Sequence, residues 1–217
     1  MAAKISLVIS LLIPSFVFSQ LKPKSLSNDT FILKNQTLYI MKKLGIGVRK
    51  NINKDDALFF GTYNSRFISC VYGQDAIAPY YRSKGLDTNE RWYIKPIINL
   101  SSTLDSIIRN KKDTTHLFYI DAFSSVIHEL THYYQNTYTG FDSTYIKGTL
   151  ENFQEHVEQP VELEAYEAEA YYFLFFADKK ALKKIMELKI PKKERFKILY
   201  NSQHKLLYPN DSILMLK

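Results

Sequence analysis

The segment His128-Glu129-Leu130-Thr131-His132 constrains this chain more than any other. Two histidines four apart project from one side of a helix, one turn above the other. At that spacing both imidazoles reach one Zn2+, and the glutamate between them can take a proton from water at the metal. The motif therefore asks for a helix, and the surrounding residues agree. With His128 at 0° and about 100° per residue, His132 falls near about 40° and Glu129 near about 100°. Phe123, Val126, Ile127, Leu130, Tyr133 and Tyr134 fall between about 140° and 260°. An apolar stripe thus lies opposite the histidines, which should face a cleft. Small Ser124 and Ser125 share the histidine side. Asp121 suits an N-cap, so the pattern predicts a helix over about 121–136. The bland alternative is an amphipathic surface helix with two incidental histidines.

A catalytic zinc needs a third protein ligand and an open position. The extended pattern HExxHxxGxxH is absent: Gln135 replaces its glycine and Tyr138 its third histidine. A carboxylate from a later helix is the usual alternative. Residues 151–169 carry Glu151, Glu155, Glu158, Glu162, Glu164, Glu167 and Glu169, with His156 among them. The run after Pro160 predicts a helix over about 160–177, with proline tolerated in its first turn. Glutamates gather at its N-terminal end, where the helix dipole favours negative charge. For most of them a solvated helix start is explanation enough.

HELTH followed by Glu162-Leu163-Glu164-Ala165 resembles the gluzincin branch of the zincin metallopeptidases. Several members carry their third ligand as Glu-x-x-Ala at the start of a later helix, as in the ImmA/IrrE-like and lethal-factor-like peptidases. The resemblance covers the motif and the 160–170 stretch. It implies His128, His132 and Glu162 as metal ligands, Glu129 as general base and Zn2+ as cofactor. Glu167-Ala168-Glu169-Ala170 has the same form deeper in the helix, so Glu164 and Glu167 stay open as third ligands. A competing resemblance joins Gly148-Thr149-Leu150-Glu151 to the Gly-Thr-x-Asp segment of aspzincins, which would bring in Glu151 or Asp142. The implied fold is α+β and zincin-like: a small twisted sheet, then the HExxH helix, then a mostly helical C-terminal half. Tyr145, His156, Tyr166 and His204 could each donate a hydrogen bond to a developing oxyanion. Each reads more readily as a structural or surface residue.

Residues 1–19 read as a secretory signal peptide: Lys4, then a mostly apolar run from Ile5 to Phe18 that is too short to span a bilayer, with Val17 and Ser19 before a cleavage point at Gln20. An uncleaved N-terminal anchor is the alternative, and no later segment is long and apolar enough to cross a membrane. Residues 20–56 form an N-terminal segment that could be a short prosegment. Residues 57–217 are expected to form one catalytic domain. The single Cys70 excludes an internal disulfide and reads as a buried inert thiol in a strand-like run.

Residues 31–44 read as a short helix or strand. Candidate strands are Ala57–Tyr63, Arg66–Tyr72 and Trp92–Leu100, with Asn64-Ser65 offering a hairpin turn between the first two. Pro96 demotes the third to an edge strand or bulge. In zincins such an edge near the motif helix pairs with an extended peptide; an ordinary sheet edge is the alternative. A short helix over 104–110 and two basic helices over about 179–188 and 191–205 complete the chain. Net charge is +7, and few aromatics interleave with the C-terminal lysines, so they read as a solvated basic face rather than a nucleic-acid site. The expectation is a secreted or periplasmic zinc metallopeptidase acting on a peptide or protein. Alternatives are another zinc amide hydrolase on the same scaffold and a non-catalytic zinc-containing binding module.

Overall fold

The computed structural model describes residues 26–48, 59–63, 70–76, 94–110, 116–135, 145–146, 151–210 and 215–216. The helices among them are α1 (Leu26–Leu44), α2 (Ser102–Asn110), α3 (Leu117–Gln135), α4 (Phe153–Glu158), α5 (Pro160–Ala177), α6 (Lys179–Glu187) and α7 (Lys192–Leu207). Three short segments have strand geometry: β1 (Phe59–Tyr63), β2 (Cys70–Ala76) and β3 (Ile94–Ser101).

The expected α+β class does not hold. The described body is predominantly helical, and β3 is the one strand with described side chains in its core, Ile98 and Leu100. Burial is supplied by helices packed on helices, α3 on α5 and α5 on α7. Among the described residues no layer of twisted sheet carries the core. The strand formers of residues 57–100 suggested one because β-propensity records a fit to a half-buried surface more than a fold.

The hairpin reading is also corrected. The backbone order is β1-β3-β2, so β3 lies between the segments that Asn64-Ser65 was to join. Nor is β3 an edge strand: it runs parallel to β1 from Phe59↔Ile97 onward and antiparallel to β2. Pro96 is accommodated because β1 pairing begins one residue after it, leaving Gln74 of β2 as its partner. The side chain of Cys70, the 1–19 segment and residues 111–115 lie outside the described residues.

The helix ends follow from local chemistry. Gly45, at φ 70°, ends α1 in a left-handed turn. Ile46 N–H donates to Met41 O at 2.8 Å and Gly45 N–H to Lys42 O at 3.4 Å, the paired bonds of a Schellman stop. Ser101 Oγ accepts from Leu104 N–H at 3.0 Å and caps α2. Asp178 is the single residue between α5 and α6 and caps α6 by accepting from Ala181 N–H at 2.9 Å.

The motif helix α3 begins at Leu117, one turn before the expected cap. Asp121 is therefore inside the helix and buried. Its Oδ1 accepts from Gln203 Nε2 of α7 at 3.2 Å. The apolar stripe is where the wheel put it: Phe123, Val126, Ile127, Leu130, Tyr133 and Tyr134 are all buried. The opposite face is not an open cleft, because α5 covers it. Leu33, Ile40, Met41 and Leu44 of α1 belong to the same core as α3 and α5. A smaller cluster joins Val157, Phe196, Tyr200 and Leu216. Leu216 is held there by Asn201, whose amide accepts from its N–H and donates to its C=O, both at 2.9 Å.

Candidate metal centre

Helix α3 places His128 and His132 one turn apart, and the first turn of α5 brings Glu162 against them. Pro160 starts α5, so Glu162 stands at a helix N-terminus whose dipole favours a carboxylate. His128 Nε2 is 3.4 Å from Glu162 Oε2, His132 Nε2 is 3.3 Å from Glu162 Oε1, and the two Nε2 atoms are 3.1 Å apart. Ligand atoms bound tetrahedrally at about 2.0–2.1 Å are separated by about 3.3–3.4 Å. The observed separations lie close to that edge length. All three side chains are buried, and one ligand atom from each lies within 4.8 Å of the others. The group can hold a metal ion.

The other ring nitrogens are engaged. His128 Nδ1 lies 3.0 Å from Glu169 Oε2, and His132 Nδ1 lies 3.2 Å from Gln135 Oε1. The orientation of the Gln135 amide follows from its Nε2, which donates to Glu164 Oε2 at 2.9 Å. Both partners are acceptors, so each histidine keeps a proton on Nδ1 and turns Nε2 inward. Two ring nitrogens and a carboxylate then face one point, which favours positive charge there. The pKa of His128 reflects this. Burial opposes its protonation, but hydrogen bonds to Glu162 and Glu169 and the nearby charge of Glu129 outweigh burial and raise it well above the usual histidine value. Burial likewise disfavours the charged Glu162, yet His128 and His132 hold its carboxyl far below the usual range.

Glu129 is half-buried and close enough to act electrostatically on His128 and on Tyr166. Tyr145 Oη donates to Glu162 Oε1 at 2.7 Å. His156 of α4 has Nε2 3.6 Å from Glu162 Oε2 and Nδ1 2.8 Å from Ile146 O. The Tyr166 ring packs edge-on against His128, with centroids 4.4 Å apart, and burial with surrounding carboxylates pushes its phenol well up. These three border the cluster. His204 packs further out, between Tyr200 and Tyr208 of the α7 end.

The alternative third ligands are placed elsewhere. Glu164 accepts from Gln135 and from Lys192 Nζ, each at 2.9 Å. Glu167 is fully buried, and its Oε1 accepts from Arg195 Nη2 at 2.9 Å and Nε at 3.1 Å. Glu151 is exposed in the turn before α4. Asp142 lies outside the described residues. Sequence reasoning named no partner for either imidazole. Glu169 was findable, being seven residues after Glu162 and so on the same face, as was Gln135, three after His132.

No protein-family model, curated protein or solved structure matches this chain.

Proposed function

We propose that this chain is a zinc-dependent hydrolase of peptide bonds, exported through its first 19 residues, with His128, His132 and Glu162 as metal ligands and Glu129 as general base. The observation that carries the reading is the buried convergence of His128, His132 and Glu162 around one point, with the motif glutamate on the same helix. Two imidazoles and one carboxylate suit zinc and leave a position for water. When bound, Zn2+ supplies Lewis-acid polarisation of water and of a substrate carbonyl.

The chain's own residues supply the rest. Glu129 takes a proton from the attacking water and returns it to the leaving amine. Glu169 and Gln135 keep the two imidazoles in the ligating tautomer. Tyr166, held protonated by its surroundings, and His156 border the cluster and are the residues from which an oxyanion donor would come. The substrate of this reading is a peptide or protein. No described helix is long and apolar enough to cross a membrane.

The test combines metal content with turnover of a mixed peptide library. The proposal expects zinc in the purified chain, cleavage abolished by chelation, and Glu129→Gln that retains zinc without cleaving. Zinc-dependent release of other amides in place of peptides would favour a different amide hydrolase. Retained biological activity in Glu129→Gln would favour a binding module. A chain that takes up no metal would overturn the reading.

A further inference from the structure

We propose that Gln159 is a positioning residue for the metal centre, acting on Glu162 through Tyr145; this rests on the metal-ligand reading of Glu162. Gln159 is the single residue between α4 and α5, with an extended backbone at φ −61° and ψ 134°. Its side-chain amide is fully used. Oε1 accepts from Ile146 N–H at 2.9 Å, and Nε2 donates to Ile146 O at 2.9 Å and to His156 O at 3.0 Å. Residues 145–146 belong to no helix or strand. By binding both polar groups of Ile146, the amide supplies the pairing that a neighbouring strand would otherwise give.

One residue before that clasp, Tyr145 reaches Glu162 Oε1 at 2.7 Å. The clasped carbonyl of Ile146 is also 2.8 Å from His156 Nδ1, and the far nitrogen of the same ring lies 3.6 Å from Glu162 Oε2. Both outer neighbours of the Glu162 carboxylate are thus tied to Ile146, and Ile146 is tied to Gln159. The two imidazoles of α3 hold the carboxylate from the other side. Fixing a carboxylate in one rotation lowers the cost of presenting it to a metal, the general role of hydrogen bonds outside the ligand set. An ordinary loop clasp would stabilise the chain without affecting the metal.

Co2+ titration of the unmodified chain, Gln159→Met, Tyr145→Phe and the double variant separates the two roles. Each single substitution should weaken Co2+ binding about 10- to 100-fold. The double variant should lose less than the product of the two single losses, since residues acting through one another are not additive. Unchanged Co2+ affinity in Gln159→Met, or a double variant showing the product of the two losses, would overturn the positioning role. Should Gln159→Met fail to fold, Gln159→Glu keeps an acceptor for Ile146 N–H but sets a charged oxygen against the carbonyls of Ile146 and His156, which breaks the donor half of the clasp. It should then also weaken Co2+ binding, and unchanged binding would again overturn the role. Failure of the unmodified chain to bind Co2+ would overturn the metal-centre reading itself, an outcome seen before any variant is compared.

Discussion

Glu169 Oε2 stands 3.0 Å from His128 Nδ1, two helical turns along α5 from Glu162, which faces Nε2 of the same ring. One imidazole is therefore held between two carboxylates of one helix face. Glu169→Gln should weaken zinc binding by about 10- to 100-fold while leaving the helices intact. Competition against a chelator of known affinity, beside far-UV circular dichroism, checks this. Unaltered affinity would assign Glu169 to packing alone.

The third ligand is tested by zinc stoichiometry. Glu162→Ala should lose bound zinc at micromolar metal, whereas Glu151→Ala, altering an exposed turn, should retain it. Loss in Glu151→Ala alone would move the ligand to the preceding turn.

Metal binding should also depend on pH in a stated direction. Glu162, Glu169 and Glu129 favour the protonated form of His128 against the opposing effect of burial, so a metal competes with that proton. Acidification should weaken binding, and metal addition in lightly buffered solution should release protons. Affinity independent of pH between about 5 and 8 would contradict the proton-bearing cluster.

Asp121 makes a prediction apart from metal. Burial, then the charge of Glu169, pushes its carboxyl up to about 7, although hydrogen bonds from Gln203 and Ser124 pull the other way. In the unfolded chain it ionises near about 3.9. Between about pH 4 and 7 the folded state keeps a proton that the unfolded state has lost, so stability falls as pH rises through that window. The effect is on the order of 4 kcal/mol at most. Urea unfolding of metal-free protein at pH 5 and pH 8 should show the fall, and Asp121→Asn should flatten it. An equal slope in the variant would place its origin elsewhere.

Between α5 and α7, Glu167 is fully buried and accepts two hydrogen bonds from Arg195. Arg195→Ala should destabilise the fold by up to about 3–5 kcal/mol, because it leaves the buried Glu167 carboxylate with Lys192 Nζ at 3.9 Å in place of two hydrogen bonds. Replacing both residues, as Glu167→Leu with Arg195→Met, should cost much less. Denaturant midpoints for the single and double variants decide it, and equal losses would show that the pair itself is not the source.

The site was more legible than the fold. His128 and His132 announced themselves by spacing, and Glu162 by the resemblance of Glu162-Leu163-Glu164-Ala165 to the Glu-x-x-Ala of gluzincins. The class was misjudged because Tyr, Phe and Ile in residues 57–100 read as sheet while α3 and α5, buried nearly all round, cover each other. Asp121 looked like a cap because aspartate is among the best caps; the apolar Leu117, Tyr119 and Ile120 before it extended the helix instead. The clasp of Gln159 on Ile146 had no signature, since an amide's partner 13 residues away is fixed only by tertiary packing.

The seven-residue interval from Glu162 to Glu169 matches the one from Asp121 to His128, and both lie on facing helices. The spacing of these acids therefore matters as much as their identity. Adding or deleting one residue inside α5 between positions 162 and 169 swings the second carboxylate about 100° around the axis, away from His128.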